Sequence, residues 1–149
     1  MSIVSAPSWV PVSLPVAGAV SGASQENLII HQVQLALASA VPERKGMERR
    51  RETRHPYPYP VHLTPVDTQG RALPDEAPVT VLGRHISNHG LDFNHLRPLP
   101  WRRVIASLPS VDERWIGLLM DLTWCRFSQH GWYDNGGRFL GVVSSPLNE

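Results

Sequence analysis

Two groups of side chains in this 149-residue chain have the types and spacing that chemistry needs. The first is the run Arg49-Arg50-Arg51-Glu52-Thr53-Arg54, in which Arg50 and Arg54 stand four residues apart. A guanidinium presents a rigid fork of N–H donors. That fork matches a carboxylate, a phosphate, or the O6/N7 edge of guanine, and its plane stacks on a base. Thirteen of the 14 basic residues are Arg, with Lys45 the single lysine. The second group is His85-Ile86-Ser87-Asn88-His89-Gly90. A serine hydroxyl supplies one donor and two acceptors, and a neutral histidine accepts through one nitrogen only. Gly90 permits a positive φ and a close backbone approach.

Other chemistries find less support. His85, His89 and His95 lie close together, with His55, His62 and His130 elsewhere. A metal site needs three or four converging ligands. His85 and His89 have helical spacing, yet Ser87 and Gly90 place them in a turn, so no metal site is expected. Ser87 lacks the G-x-S-x-G elbow of a nucleophile, and no phosphate-binding glycine loop is present. Cys125, the one cysteine, excludes an internal disulfide. Lying between Trp124 and Arg126 in an apolar run, it is expected to be a small buried hydrophobe. The chain therefore reads as a binding protein rather than an enzyme.

The elements that must position these residues follow from pattern. Hydrophobic residues make up 42% of the chain and 14 basic residues balance 13 acidic ones, which suits one small soluble domain and gives no bulk charge for nucleic acid or membrane. No apolar run reaches the roughly 18 residues of a membrane-spanning helix. Fourteen prolines argue against a helical bundle. Residues 1–25 carry no charge, and Pro7, Pro11 and Pro15 interrupt them, so residues 1–23 read as a disordered tail rather than a secretory signal. Residues 24–42 read as an amphipathic helix, with Ser24 as N-cap, Pro42 as stop, and an apolar stripe of Ile30, Val33, Leu37 and Val41 flanked by Leu28 and Leu35. Residues 43–54 form a basic, solvated linker.

From residue 55 onward the period changes to two. Tyr57, Tyr59, Val61 and Leu63 alternate with other residues, and the prolines among them confine that strand to an edge or to irregular pairing. Gly70 and Pro74 mark turns. Strands are expected at Val79–Leu82, Leu91–Phe93, Val104–Leu108, Trp115–Phe127 and Arg138–Val143, with a turn over Ser128–Gly136. Many short strands with frequent turns indicate an all-β barrel or sandwich.

With both groups in this order, the sequence resembles the PilZ domain family, receptors for the bacterial second messenger cyclic di-GMP. That family carries R-x-x-x-R ahead of its first strand and D/N-x-S-x-x-G in a later turn. Arg50 and Arg54 match the first motif, and Ser87 and Gly90 the second. The pattern around Trp124–Phe127 and Gly137–Phe139 also fits, and the resemblance covers residues 48–143. It departs at the D/N position, which is His85. The resemblance implies an all-β, antiparallel barrel preceded by one N-terminal α-helix, which takes the groove that a helix after the barrel occupies in other members. It implies cyclic di-GMP as ligand, held by Arg50, Arg54, Ser87 and Gly90, with His85 at the variant position and Arg49 adding a phosphate contact. No other cofactor and no nucleic acid or membrane partner is implied. A bacterial, cytoplasmic, stand-alone adaptor would follow, its arginine arm ordering over the barrel as ligand binds and its signal passing to an unidentified protein effector. The alternative is a protein of this fold that no longer binds nucleotide and acts as an interaction module, with some of its five tryptophans as hot spots.

The histidine sharpens the choice. The N1–H and N2–H₂ edge of guanine needs an acceptor, and losing that pairing costs about 1–3 kcal/mol, or roughly tenfold to a hundredfold in affinity. Asp92 and Asn94, just downstream, are candidates to replace it. If His85 is itself the acceptor, protonation removes its lone pair. Calorimetric affinity for cyclic di-GMP should then fall between about pH 8 and about pH 5.5; an unchanged affinity takes His85 off the contact surface.

Overall fold

The computed structural model describes residues 22–40, 54–73 and 75–148. The tail, the segment 41–53 with Arg49 and Arg50, and Pro74 lie outside the described residues. The order of elements is α1 (Gly22–Ala40), β1 (His55–Pro56), β2 (Pro60–Val66), β3 (Val79–Ile86), β4 (Gly90–His95), β5 (Arg103–Pro109), β6 (Trp115–Phe127) and β7 (Tyr133–Ser144). All pairings are antiparallel, in the order β3-β2-β5-β6-β7-β4, and β4 pairs back onto β3. Six strands thus close into a barrel, preceded by one helix. Among the described residues no helix is long and apolar enough to cross a membrane.

Period-two patterning builds the core. Val61 and Leu63 of β2, Leu91 and Phe93 of β4, Val104, Ala106 and Leu108 of β5, and Ile116, Leu118 and Met120 of β6 are all buried in one cluster. The helix joins that cluster through Ile29, Val33, Ala36 and Leu37, a stripe at i, i+4, i+7 and i+8. This differs from the expected stripe: Leu28 and Ile30 are exposed, and Ile29 takes the inward position. The helix starts at Gly22, so Ser24 lies in its first turn and is not the N-cap. It packs against β5, β6 and β7, where Gln25 Oε1 accepts the Val142 N–H at 3.3 Å.

The prolines do not put their strand on an edge, because β2 pairs with β3 on one side and β5 on the other. They break it instead. β1 and β2 lie in tandem along β3, and at the break Tyr57 N–H donates to the Arg84 carbonyl while Gly83 N–H donates to that of Tyr59. The expected turn at Ser128–Gly136 is shorter, since β7 already begins at Tyr133. Gly136 and Gly137 are strand positions over which the Trp124 and Met120 side chains pack, not turn residues. Cys125 is exposed rather than buried: β5 stops pairing with β6 at Asp121, and the rest of β6 runs on beyond it.

The Tyr57 hydroxyl lies deep in this packing, and burial followed by the neighbouring Tyr59 pushes its pKa up to about 12. A raised pKa favours the protonated form in the folded state. Stability is therefore intact below pH 10, the unfolded value, and is lost as pH rises towards 12. Urea unfolding of the wild type should show a fall on the order of 2–3 kcal/mol across that window, which Tyr57→Phe should largely remove.

Candidate functional site

The β3–β4 hairpin is the centre of the site. Ile86 faces Leu91 and His85 faces Asp92 across it, leaving Ser87 to Gly90 for the turn. Ser87 N–H donates to the Gly90 carbonyl at 2.9 Å, and Ser87 Oγ accepts the N–H groups of His89 at 3.1 Å and Gly90 at 3.3 Å. With its acceptor capacity spent on the turn, the hydroxyl keeps its own proton to donate outward. Phe139 N–H donates to the His89 carbonyl at 2.8 Å, fastening the turn to β7. Gly90 does not take a positive φ, unlike Gly70 and Gly131. It is needed for close approach, since a Cβ there would overlap the Gly137 carbonyl.

Asp92 sits one pair in from the turn, its side chain 10% exposed. One oxygen accepts the His85 backbone N–H at 2.8 Å, and the other accepts Arg54 Nη2 at 2.5 Å. A buried carboxylate is tolerable only with such partners. The His85 ring lies against both groups, with Nδ1 at 3.4 Å from Asp92 Oδ1 and 3.5 Å from Arg54 Nη2. Its neutral nitrogen accepts from Arg54; its protonated form donates to Asp92.

These residues line an open cavity of about 330 Å³, together with Trp124 and Arg138. The Trp124 indole lies on Gly136, where any Cβ would collide with the ring, and Arg126 is over that ring at 5.3 Å. Trp124 as a whole is 39% exposed. Arg138 forms no ion pair among the described residues. The cavity thus combines two guanidiniums, an aromatic surface, a hydroxyl donor and one carboxylate. That set suits a ligand which is both anionic and flat, with a donor edge of its own.

Of the residues singled out in the sequence, Arg54, His85, Ser87 and Gly90 meet in this one cavity, while Arg49 and Arg50 lie outside the described residues. Between the candidate acceptors the geometry distinguishes plainly. Asp92 lines the cavity, whereas Asn94 does not, and its buried Oδ1 has no hydrogen-bond partner. Trp124 and Arg138 were not among the expected site residues. Their signal lies in the register, which sets Trp124 opposite Gly136 and Arg138 opposite Gly90. Among the described residues no three His, Cys, Asp or Glu side chains are grouped to hold a metal ion.

No family model matches the chain. No curated protein matches it. Among solved structures it is similar to the Bacillus subtilis inhibitor of motility (MotI/DgrA), at 14% identity and a TM-score of 0.49, over 64% of this chain and 44% of that one. The chain therefore spans less than half the length of that protein.

Removing the Asp92 carboxylate leaves a backbone N–H and a guanidinium without their acceptor. Asp92→Ala should lower the stability measured by urea unfolding by about 1–3 kcal/mol, and Arg54→Ala by less, because Arg54 is largely exposed.

Proposed function

We propose that this chain is a PilZ-like receptor for cyclic di-GMP that works as an adaptor through protein contacts. One observation carries the reading: the last arginine of R-x-x-x-R and the serine and glycine of the S-x-x-G turn, more than thirty residues apart in sequence, wall the same cavity, and an exposed indole stands beside them. Cyclic di-GMP has two phosphodiesters and two guanines, so it offers what that wall binds. Arg54 and Arg138 supply forks for phosphate or the O6/N7 edge of guanine. Trp124 supplies a stacking surface. Ser87 donates its hydroxyl proton to a phosphate oxygen.

Asp92 takes over the acceptor role that His85 cannot fill well. An ionised carboxylate has about four lone-pair sites; the His85 N–H and Arg54 occupy two of them. The remainder can receive N1–H and N2–H₂ of a guanine. Arg50, four residues ahead of Arg54, brings the second fork of the motif over the ligand. Ordering of that arm changes the surface offered to an effector, and the chemistry is binding alone. The rival reading, an interaction module without a nucleotide, draws on the His85 departure and on Arg54 being already satisfied by Asp92.

Isothermal titration of cyclic di-GMP decides between them. Wild type should bind saturably. Arg50→Ala and Arg54→Ala should each weaken binding at least about tenfold, the loss of a charge-assisted contact, and Trp124→Ala by a similar factor through lost stacking. No heat from the wild type at about 100 μM ligand rejects the receptor and leaves the interaction module.

A further inference from the structure

The outer part of β6 has an edge that the barrel does not use. β5 pairs with β6 only as far as Arg103 opposite Asp121, with one more bond from Leu122 N–H to the Arg102 carbonyl. Beyond that, Trp124 to Phe127 pair with β7 alone, Thr123 being the extra residue of a bulge between Leu122 and Trp124, and Thr123 to Phe127 are all exposed. Ser128 N–H donates to the Trp132 carbonyl, which fixes the alternation along this hairpin. Arg126 and Trp124 turn their backbone groups towards β7, and Cys125 and Phe127 turn theirs outward. Natural edges are usually protected by lysine, proline, a bulge, a covering loop or a short strand; here the bulge at Thr123 interrupts one end only. This stretch has no lysine and no proline, and it carries Phe127 at 62% exposure and Trp124 at 39%.

We propose that this edge pairs with the same edge of a second copy, antiparallel about a two-fold axis at Cys125. Self-pairing about a two-fold must be antiparallel here, with each residue facing the same position or its mirror. Charge selects the register. Centring on Arg126 would set two guanidiniums directly opposite each other, which is unfavourable. Centring on Cys125 sets Arg126 of each copy opposite Trp124 of the other, a cation–π pairing made twice, and leaves the bulged Thr123 outside the paired segment. Cys125 then exchanges its outward N–H and carbonyl with its counterpart. Hydrogen-bonded pairs of this kind have Cα atoms about 5.5 Å apart, within reach of a short cross-linker. The surface is independent of the ligand reading, although Trp124 contributes to both.

Because Cys125 is the single cysteine, it reports on one contact only. The full chain is sedimented in reductant over a concentration series and treated separately with a short bifunctional maleimide. A concentration-dependent dimer and efficient cross-linking are expected. Phe127→Pro removes an outward N–H while keeping the β7 ladder and Cys125, and Phe127→Lys adds an edge charge. Both should sediment as monomers and lose at least about nine-tenths of the cross-link, with unchanged circular dichroism. A wild-type monomer up to about 1 mM, a dimer that does not cross-link, or cross-linking that survives in the variants that fold overturns the proposal.

Discussion

The barrel closes only because β4 lies against β3 and β7 at once. A hairpin that short must leave β3, turn, and meet a third strand within a few residues. Ser87 makes this possible by taking up two turn amides with one oxygen, and Gly90 by letting the Gly137 carbonyl come closer than any side chain would allow. The same closure sets His85 opposite Asp92 and brings Gly136 and Arg138 alongside. The cavity is therefore a product of the closure itself, built on paired strands and the short turn between β3 and β4.

Within it, the Asp92 carboxylate ties the hairpin to the residue ahead of β1. Its desolvation is offset by the His85 amide and by Arg54. That second partner holds an otherwise long and mobile side chain at the cavity wall, so a ligand meeting Arg54 spends less entropy in ordering it. The cost is competition, because any anion that draws the guanidinium away weakens its hold on the carboxylate.

The barrel and its helix were legible in the sequence from the change of period after residue 55 and from the apolar spacing before Pro42. What periodicity left open was phase and length. Ile29 and Ile30 are equally apolar neighbours, and only docking against β7 selects the first. Gly136 reads as the end of a turn because nothing local shows that the Trp124 side chain covers it. In the site, motif spacing sufficed for Arg54, Ser87 and Gly90. Asp92, already a candidate acceptor in the sequence, is placed by the β3–β4 hairpin, whereas Trp124 and Arg138 reach the cavity because β7 pairs with β4 across a long separation that no local pattern encodes. Cys125 shows the converse: its neighbours look like core, and its exposure follows from where β5 ends.

Arg54 takes its position from the strand that follows it. Arg54 directly precedes β1, whose two residues are paired to β3 at the hairpin, so its place is set by the barrel. Insertions ahead of Arg54 would leave it where it is relative to the cavity, whereas one between Arg54 and His55 would move it off the wall. The stretch ahead of Arg54 can thus drift in length over evolution, or accept a tag or a sensor by design, while the junction of Arg54 with β1 stays under constraint.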